Sequence, residues 1–557
     1  MKKKQFKAHI VTSYTTGVVG GISIFSAPPL GIISIATAAA REHASVSCMN
    51  LMPLRDEAIV RKYILEIARD ESLDLFGVSL NISETRAGAY NIIEWFREAN
   101  TRTPIVVGGI HASHLHEQVL MNFPVDYVVC GEGENTFSEL CASLNREEHA
   151  PVLPGLVRLK DGKITGDSSI CLIEDLDSLP FPDFSKVDMR IPSALYTLPI
   201  EKYDLREMKL EDGLPVEISR GCPRRCVFCG VAGRPWRHHS PEYVRDFLLL
   251  LHKQHGFTAF TFTDDCFTLD RGRAIALCEE LNRRAVSATW AAQTRIDMVD
   301  AELLGVLKKA GCRLLAFGIE TGSEKMQLAI KKNLNLAHAL ENIKTVRNAG
   351  INVQLFFLLG HPGETPQDVK DTTRFLKAAA PEHACFDIAK ILPGTGLARL
   401  AAEAGFYDDS FWIKQKDGSP YFTAGRSEGS IRAALDRLWL EWYRLRRKPP
   451  PRMIRGIIQN IADLLPNGIA VKETFAGPTN CAVIVLEIEG REAVADLLYS
   501  RDRALGLTFD LVISPADRSG KRKRLAKIIG EIMARLRHIF EKKNRASPQQ
   551  GTPASLV

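Results

Sequence analysis

The chain has 557 residues, too many for a single hydrophobic core, so we expect about two to four domains. Hydrophobic residues make up 45% of the chain and charged residues 25%, as in ordinary globular proteins. The formal net charge of +6 is small for this length and argues against a nucleic-acid-binding protein.

The N-terminus imitates a secretory signal peptide, because Met1–Lys4 precede an apolar stretch. Polar residues at 13–16 and the pair Pro28–Pro29 interrupt that stretch, so we favour a strand, a loop and a helix instead. No run of about 18 uninterrupted apolar residues follows, and no membrane span is predicted. Twelve cysteines occur, and only one group is tightly spaced, which indicates the reducing cytoplasm and a single metal or cluster site.

Residues 7–140 alternate apolar strands with amphipathic helices. The strands are predicted at 8–14, 45–49, 75–80, 104–108 and 126–130, and the helices at 30–42, 56–70, 84–99 and 134–144. This alternation predicts an α/β domain over 1–149, a doubly wound parallel sheet. Ligands of such sheets bind beyond the carboxyl ends of the strands. Those ends carry Ser79, Gly108, Gly109, Gly131, Glu132 and Gly133.

The rest of the chain divides into four parts. Residues 150–212 have weak periodicity and are predicted to be a linker. A second strand–helix alternation over 213–412 predicts six strands, whereas a full eight-unit barrel needs about 250 residues. We therefore expect a partial (β/α)6 barrel, with strands near 215–219, 258–263, 288–292, 313–319, 352–359 and 386–391. A mostly helical α+β region follows over 413–543, with helices at 428–446, 450–464 and 519–541, strands at 469–472 and 482–488, and a disordered tail over 544–557.

The most informative segment reads SRGCPRRCVFCG and follows the first predicted barrel strand. One loop there carries Cys222, Cys226 and Cys229, and thiolates are the ligands of iron–sulfur clusters. Three cysteines on a four-iron cluster leave one iron open for another ligand. We interpret Arg220, Arg224 and Arg225 as positive charge beside this anionic group. A structural zinc site is the alternative, but it normally takes four ligands, and no second cysteine pair accompanies the three.

This segment resembles the CX3CX2C loop of the radical S-adenosylmethionine (SAM) superfamily, and the resemblance covers residues 215–400. It implies a [4Fe-4S] cluster on Cys222, Cys226 and Cys229, with SAM on the open iron. It also implies reductive cleavage of SAM to a 5′-deoxyadenosyl radical, with electrons from an external flavodoxin- or ferredoxin-type donor. Further SAM contacts carried over from the family lie at successive strand ends: Phe228, Asp264, Asp265, Arg295, Glu320, Ser323, Gly360 and Pro393.

Residues 7–140 resemble the cobalamin (B12)-binding domain of one large radical SAM subclass, through Phe76–Ser79, Val106–His111 and Asp126–Glu134. The resemblance implies bound cobalamin, with Gly108 and Gly109 allowing a close approach of the ligand to the backbone. The DxHxxG segment that supplies a histidine to cobalt in some B12 proteins is absent. We interpret the histidines 111, 114 and 116 as surface residues of a loop.

The resemblance implies a cobalamin-dependent radical SAM enzyme that methylates an unactivated carbon of a small-molecule or peptide substrate. Cyclisation or rearrangement without methyl transfer is an alternative. A tRNA methylthiotransferase shares the central motif, but Cys48, Cys130 and Cys141 do not match the cysteine pattern of its N-terminal domain. A non-catalytic B12 or redox sensor is the third alternative, and the intact cluster loop argues against it.

Overall fold

A computed structural model describes much of the chain, and it forms two compact units. The described residues are 5–14, 29–40, 44–52, 54, 56–148, 152–187, 214–283, 288–405, 407–414, 419–422, 425–447, 455, 458–459, 461–462, 465, 469–476, 481–488, 491–502 and 506–513. The first unit comprises 1–372, 381–385 and 389–422, and the second comprises 373–380, 386–388 and 423–557. The N-terminal sheet and most of the barrel therefore belong to one unit.

The N-terminal domain is a doubly wound sheet, as predicted. Its strands are β1 (Phe6–Thr12), β2 (Ala44–Met49), β3 (Leu75–Ser79), β4 (Ile105–Gly108) and β5 (Tyr127–Val129), and its helices are α1 (Leu30–Ala40), α2 (Glu57–Ala68), α3 (Arg86–Ala99), α4 (Ile110–His114), α5 (His116–Asn122) and α6 (Gly133–Asn145). The five strands are parallel in the order β2-β1-β3-β4-β5. Alternate side chains fill separate cores on the two faces, for example Ile10 and Val106 on one and Val11 and Val107 on the other.

Part of the predicted linker belongs to this sheet. Two strands, β6 (Leu156–Lys160) and β7 (Lys163–Gly166), form a hairpin that pairs antiparallel with β5. The turn at Asp161 and Gly162 has positive φ at both residues, +51° and +72°, which suits a tight hairpin. These strands are short and only partly buried, so their apolar periodicity was too weak to mark them.

The partial barrel is confirmed, with six strands in the order β15-β14-β13-β12-β11-β8. Its strands are β8 (Leu214–Val216), β11 (Ala259–Phe262), β12 (Thr289–Thr294), β13 (Cys312–Glu320), β14 (Asn352–Leu359) and β15 (His383–Ile388), with a short ribbon of β9 (Ser219–Arg220) and β10 (Arg237–His238) after β8. Its helices are α7 (Pro241–His255), α8 (Arg271–Arg283), α9 (Ala301–Lys309), α10 (Glu324–Ala329), α11 (Leu336–Asn348), α12 (Pro366–Ala379), α13 (Gly396–Glu403) and α14 (Phe411–Lys414).

Helix ends in the barrel follow local chemistry. Helix α7 begins where the Ser240 side chain accepts a hydrogen bond from the Tyr243 amide, and it ends at Gly256 with φ +74°. Asp300 caps α9 and Thr395 caps α13 in the same way. The parallel strands between these helices place their carboxyl ends at one mouth.

The second unit contains α15 (Glu428–Arg446) and four antiparallel strands, β16 (Ile469–Ala476), β17 (Cys481–Ile488), β18 (Arg491–Asp502) and β19 (Gly506–Ile513). Helix α15 matches the predicted helix at 428–446. The described part of this region holds two more strands than we predicted. Most of the predicted helix at 450–464, all of the one at 519–541 and the predicted disordered tail lie outside the described residues.

Among the described residues, no helix combines the length and the apolar character that crossing a membrane would need.

Candidate active site at the barrel mouth

The loop with the three cysteines leaves the barrel directly after its first strand. In the ribbon, Arg220 of β9 is paired with Arg237 of β10, so residues 221–236 form a loop that is closed at its base. We call these residues the cluster loop. Gly221 opens it with φ +88°, and a Cβ atom there would lie 2.2 Å from the Pro235 carbonyl oxygen. Glycine is therefore required at the entry of the loop.

The cluster loop is also bound to the ends of two other barrel units. The Val227 amide donates to the Ile330 carbonyl at 3.1 Å, directly after α10. The Val227 carbonyl accepts from the Leu397 amide at 2.7 Å, in the first turn of α13. Between the second and third cysteines, the chain thus spans the barrel mouth, and Cys229 closes a tight turn on the Cys226 carbonyl.

The three thiols are partly exposed and electrostatically coupled. Burial raises the pKa of Cys226 and raises that of Cys229 to about 11, and the neighbouring cysteines add to both effects. Lys332 and Arg295 oppose the rise at Cys226. The thiols of Cys226 and Cys229 are therefore held in the protonated form, and bound iron would supply the positive charge that favours their thiolates.

The thiol arrangement fits a cluster better than a single ion. In the part of the chain that the structure describes, no three His, Cys, Asp or Glu side chains are grouped to hold one metal ion. Zinc needs its ligands on one centre. Each thiolate of a four-iron cluster binds a different iron, so the three sulfurs need not converge on one point.

Glu320, the expected ribose contact, lies at the end of β13 and is 5% exposed. Its Oε1 accepts from Lys332 Nζ at 2.7 Å, and its φ of +67° accompanies a bulge in the pairing with β14. A Cβ atom at Gly318 would lie 2.2 Å from Glu320 Oε1, so that glycine makes room for the ion pair. Sequence reasoning missed Lys332, because a lysine after a helix usually lies in solvent.

The positive charge beside the thiols does not come from Arg220, and that part of our interpretation is wrong. Its guanidinium contacts carboxylates at 2.6 Å (Glu217) and 2.7 Å (Glu134). Arg295 and Lys332 act on Cys226 instead. A local sequence pattern does not reveal this, because the carboxylates that bind Arg220 include one that is 86 positions away.

The two aspartates after β11 hold the base of the cluster loop. Asp264 is 2% exposed and accepts from Ser219 Oγ at 2.5 Å, and burial raises its pKa to about 7. Asp265 accepts from the Gly221 amide at 3.1 Å, and burial raises its pKa as well. Their contact with the SAM ammonium group stays a prediction, and Asp265 is the more accessible of the two.

The remaining expected SAM contacts differ in their surroundings. Ser323 caps α10 and donates to Asp368 at 2.6 Å, so its hydroxyl is used within the protein. Gly360 has φ +83° at the end of β14, and Pro393 is buried in the turn after β15. Phe228 lies 5.6 Å from the His361 ring, measured between ring centroids. These contacts with SAM also stay predictions.

His361 is a second residue that sequence reasoning missed. It is 3% exposed, and burial lowers its pKa to about 4, so the ring is neutral near pH 7. Neither ring nitrogen has a hydrogen-bond partner among the described residues. A buried neutral imidazole beside Phe228 is a polar group available to a ligand at the mouth.

The glycines at the edge of the N-terminal sheet have different neighbours. A Cβ atom at Gly109, where φ is +111°, would lie 2.7 Å from the Leu80 carbonyl oxygen. Gly131 has φ +93° and would place a Cβ atom 2.3 Å from the Cys171 carbonyl oxygen. The backbone itself therefore requires both glycines, which corrects the reason that we gave for Gly109. At Gly108 a Cβ atom would lie 3.7 Å from Val129 Cβ, which is an ordinary contact, so the backbone itself does not require glycine at this position.

Other predicted cobalamin contacts are also used within the protein. The Ser79 carbonyl accepts from the Ser13 amide at 3.3 Å, and a Cβ atom at Gly133 would lie 3.0 Å from the Ile35 side chain. The Glu132 carboxylate is bound by Arg237 through two hydrogen bonds of 2.8 Å. A role of these residues toward cobalamin remains a prediction.

The expectation of surface histidines is wrong for His111. It lies on α4, is 1% exposed, and contacts Ser83 Oγ at 2.8 Å and the Tyr90 hydroxyl at 3.2 Å. Burial lowers its pKa to about 3. Trp412, on α14, packs edge-on against its ring.

The carboxyl edges of the two sheets meet in the first unit. Glu84, after β3, pairs with Lys390, after β15, at 3.0 Å. The His114 ring, after β4, lies within 2.6 Å of the Cβ position of Gly394, also after β15. The ligand-binding edge of a doubly wound sheet thus faces the ligand-binding mouth of a barrel.

Comparison with known proteins identifies both domains. Residues 216–376 match the radical SAM superfamily, and residues 18–141 match the B12-binding domain. PH0819 of Pyrococcus horikoshii, an uncharacterized methyltransferase, is 28% identical over 486 residues, which are 85% of this chain and 98% of the relative. The anaerobic magnesium-protoporphyrin IX monomethyl ester cyclase of Rubrivivax gelatinosus is 28% identical over 297 residues, 52% of this chain and 51% of the relative.

A solved structure with a similar fold is that of OxsB, a cobalamin-dependent S-adenosylmethionine radical enzyme with aqua-cobalamin and SAM bound. It matches with a TM-score of 0.62 at 17% identity and covers 83% of this chain and 69% of OxsB. At this identity, the likeness supports the fold.

The cysteine loop on the first strand of a partial barrel and the match over 216–376 define a radical SAM enzyme. More particularly, its radical SAM domain is preceded by a B12-binding domain. Its cofactors are accordingly a [4Fe-4S] cluster, SAM and cobalamin.

Proposed function

We propose that the chain methylates an unactivated carbon in a biosynthetic pathway, with cobalamin as the carrier of the methyl group. The observation that supports this proposal is the meeting of the two carboxyl edges at Glu84–Lys390 and His114–Gly394. Cofactors on those edges would face each other. When they are bound, the cluster and SAM supply radical chemistry and cobalamin supplies a transferable methyl group.

The residues of the chain bind, orient and shield the reacting groups in this proposal. Cys222, Cys226 and Cys229 hold the cluster. In this proposal Glu320 would contact the ribose of SAM and Arg295 its carboxylate, and Phe228 and His361 would offer an aromatic and a polar contact to the adenine. These groups are partly or fully buried, so their electrostatic effect on SAM is stronger than in water.

The relatives favour methyl transfer and also give a second candidate. PH0819 bears the name of a methyltransferase and aligns over almost its whole length. The cyclase of Rubrivivax gelatinosus aligns over 52% of this chain, which favours ring formation without methyl transfer as the second candidate. The substrate in either case is a small molecule or a peptide.

Product analysis separates the two candidates. Protein reconstituted anaerobically with iron, sulfide and hydroxocobalamin is reduced and incubated with SAM, and the products are separated by chromatography. Methyl transfer predicts S-adenosylhomocysteine together with 5′-deoxyadenosine. The Cys226→Ala variant should form no 5′-deoxyadenosine. Formation of 5′-deoxyadenosine alone, also in the presence of candidate substrates from the same gene neighbourhood, would contradict methyl transfer and favour cyclisation.

The electron donor in this proposal is an acidic protein of the flavodoxin or ferredoxin type. Arg224 and Arg225 are exposed on the cluster loop, and neither forms an ion pair with another described residue. Attraction between these arginines and an acidic donor would bring the donor to the cluster loop, where the distance for electron transfer to the cluster is short. Because this donor class and free thiols belong to reducing compartments, we also propose a cytoplasmic location.

The docking surface is tested by reduction kinetics. The double variant Arg224→Glu, Arg225→Glu should be reduced more slowly by flavodoxin than the wild type, and the difference should shrink as salt is raised. Reduction by dithionite, a small reagent, should stay unchanged and serves as the control. Equal flavodoxin rates at low salt would contradict this docking surface.

A further inference from the structure

We propose that Glu132 and Glu134 of the B12-binding domain are positioning residues for the cluster loop, and that they act through Arg220 and Arg237. We call these four residues the clamp. The proposal goes beyond methyl transfer, because it concerns how one domain holds the cluster site of the other. It assigns to the Gly131–Glu134 segment a role toward the barrel.

The two arginines flank the cluster loop, one on each strand of the ribbon that closes it. Arg220 and Arg237 are register partners in the antiparallel pairing of β9 with β10. Arg220 precedes Cys222 by two positions, and the loop returns to Arg237 after Trp236. Any rotation or shift of this pair therefore moves both ends of the loop together.

Carboxylates from the first turn of α6 and from its cap bind both arginines. Arg237 forms a two-pronged contact with Glu132, with Nη1–Oε2 and Nη2–Oε1 distances of 2.8 Å. Arg220 Nη2 donates to Glu134 Oε1 at 2.7 Å, and its Nη1 lies 3.3 Å from Glu132 Oε2. Glu132 thus bridges the two arginines. The planar, forked geometry of these contacts fixes orientation as well as distance.

The carboxylates are themselves held on their own domain. Glu134 Oε1 also accepts from Ser34 Oγ of α1 at 2.9 Å. Glu132 Oε2 accepts from the Ile173 amide at 2.8 Å, and Arg237 Nη1 donates to the Ile173 carbonyl at 2.8 Å. The clamp therefore connects the cluster loop to two segments of the N-terminal sheet domain and to the chain that leads out of it.

The clamp is buried, which separates it from ordinary surface ion pairs. The side chains of Arg220 and Arg237 are 13% and 6% exposed, and those of Glu132 and Glu134 are 15% and 4% exposed. Nearby carboxylates raise the pKa of Arg220 despite its burial. Loss of one partner would leave a charge in a low-dielectric site, so the structure must rearrange around it.

Helix α6 offers a matched control. Glu139 lies on the same helix and pairs with Arg146 at 2.9 Å, but both side chains are 45–49% exposed. Such a surface pair contributes little. The Glu139→Gln variant therefore makes the same chemical change as Glu132→Gln without touching the cluster loop.

The first test needs no cofactor. Apo-protein is treated with iodoacetamide, and alkylation of Cys222, Cys226 and Cys229 is followed by peptide mass spectrometry. A released loop should react faster in Glu132→Gln and Glu134→Gln, by about 2- to 30-fold, the range expected when a coupling contact is lost. Glu139→Gln should react at the wild-type rate, and the buried Cys278 and Cys312 report global unfolding.

The second test uses reconstituted protein. The reduced cluster of each variant is titrated with SAM, and the change of its electron paramagnetic resonance signal gives the affinity. The clamp variants should retain iron but bind SAM about 2- to 30-fold more weakly. Arg237→Lys keeps the charge but cannot form the forked contact. Its SAM affinity should therefore lie between that of the wild type and that of the glutamate variants. If Glu132→Gln does not fold, Arg237→Lys carries the test alone.

Wild-type alkylation rates and wild-type SAM affinity in Glu132→Gln, Glu134→Gln and Arg237→Lys would overturn the proposal. Both readouts are independent of methyl transfer. If S-adenosylhomocysteine never forms while the clamp variants loosen the loop, the proposed function fails and the clamp stands. If methyl transfer occurs while the clamp variants keep wild-type alkylation rates and SAM affinity, the proposed function stands and the clamp fails.

Discussion

Removal of the Lys332 cation should destabilise the barrel mouth by leaving Glu320 buried without its ion-pair partner. Lys332 Nζ lies 2.7 Å from Glu320 Oε1, and the two side chains are 10% and 7% exposed. Breaking a pair at this depth by removing one partner costs about 3–5 kcal/mol. Lys332→Gln should therefore lower the unfolding temperature of the transition that includes the barrel by roughly 6–20 °C.

The same substitution should change cluster assembly. Burial raises the pKa of Cys226, and Lys332 is the first of the cations that oppose this rise. Without Lys332 the pKa of Cys226 should rise further, so iron uptake should require more alkaline solution than in the wild type. Differential scanning fluorimetry of apo-protein and iron uptake as a function of pH measure the two effects. Lys331→Gln is the matched control, because Lys331 is exposed beside the same turn.

The double variant Glu320→Gln, Lys332→Gln tests the reasoning itself. Replacing both partners removes the uncompensated charge, so this variant should recover most of the stability that Lys332→Gln loses. If the double variant is as unstable as Lys332→Gln or less stable, the loss is due to packing and the charge argument is refuted. An unchanged unfolding temperature in Lys332→Gln would refute it equally.

Three further predictions concern the cofactors and pH. Cys226→Ala should lose the cluster, which iron analysis measures against about four irons per wild-type chain, and full retention would contradict the assignment. Gly108→Leu should abolish cobalamin retention after desalting and keep the iron, because a side chain there meets Val129 only at 3.7 Å and would occupy the sheet edge where cobalamin is predicted to bind. Asp264→Asn should remove a pH dependence of stability. Since burial raises the folded-state pKa of Asp264 from 3.8 to about 7, the wild type should be more stable below pH 4 by about 4 kcal/mol from this group and lose that contribution as pH rises through 7. Equal pH profiles of the wild type and Asp264→Asn in chemical unfolding would contradict it.

Local sequence was enough to predict most elements of the first unit. The five strands of the N-terminal sheet and the six barrel strands lie close to their predicted positions, since each carries a run of buried residues between capped helices. The largest shift is in the last barrel strand, which is His383–Ile388 instead of 386–391. There Ala389 and Ile391 continue the apolar pattern into the following turn, where they are buried as well.

The hairpin β6–β7 and the strands β18 and β19 were harder to predict. The hairpin is at the edge of its sheet, where much of each strand stays exposed and period-2 burial is weak. Strand β18 spans Arg491–Asp502 and begins and ends with charged residues, which do not resemble a strand core. Antiparallel pairing with β17 and β19 decides its conformation.

The sequence by itself determined the chemistry of the site: three thiols at fixed spacing on one loop, placed after the first strand of a barrel. That inference needs only local order, because the ligands are neighbours in the chain. Only the tertiary structure decided which charged side chains pair with each other and which lie near the cysteines. Arg220, expected beside the cluster, binds Glu134, and Lys332 takes its place near Cys226. Each of these pairings joins residues from different elements. Periodicity and composition can predict that a side chain is buried, but they do not identify the residue that it contacts. Electrostatic energy depends on distance in space, so only the packed fold could assign the clamp, the ion pair at Glu320 and the buried state of His111.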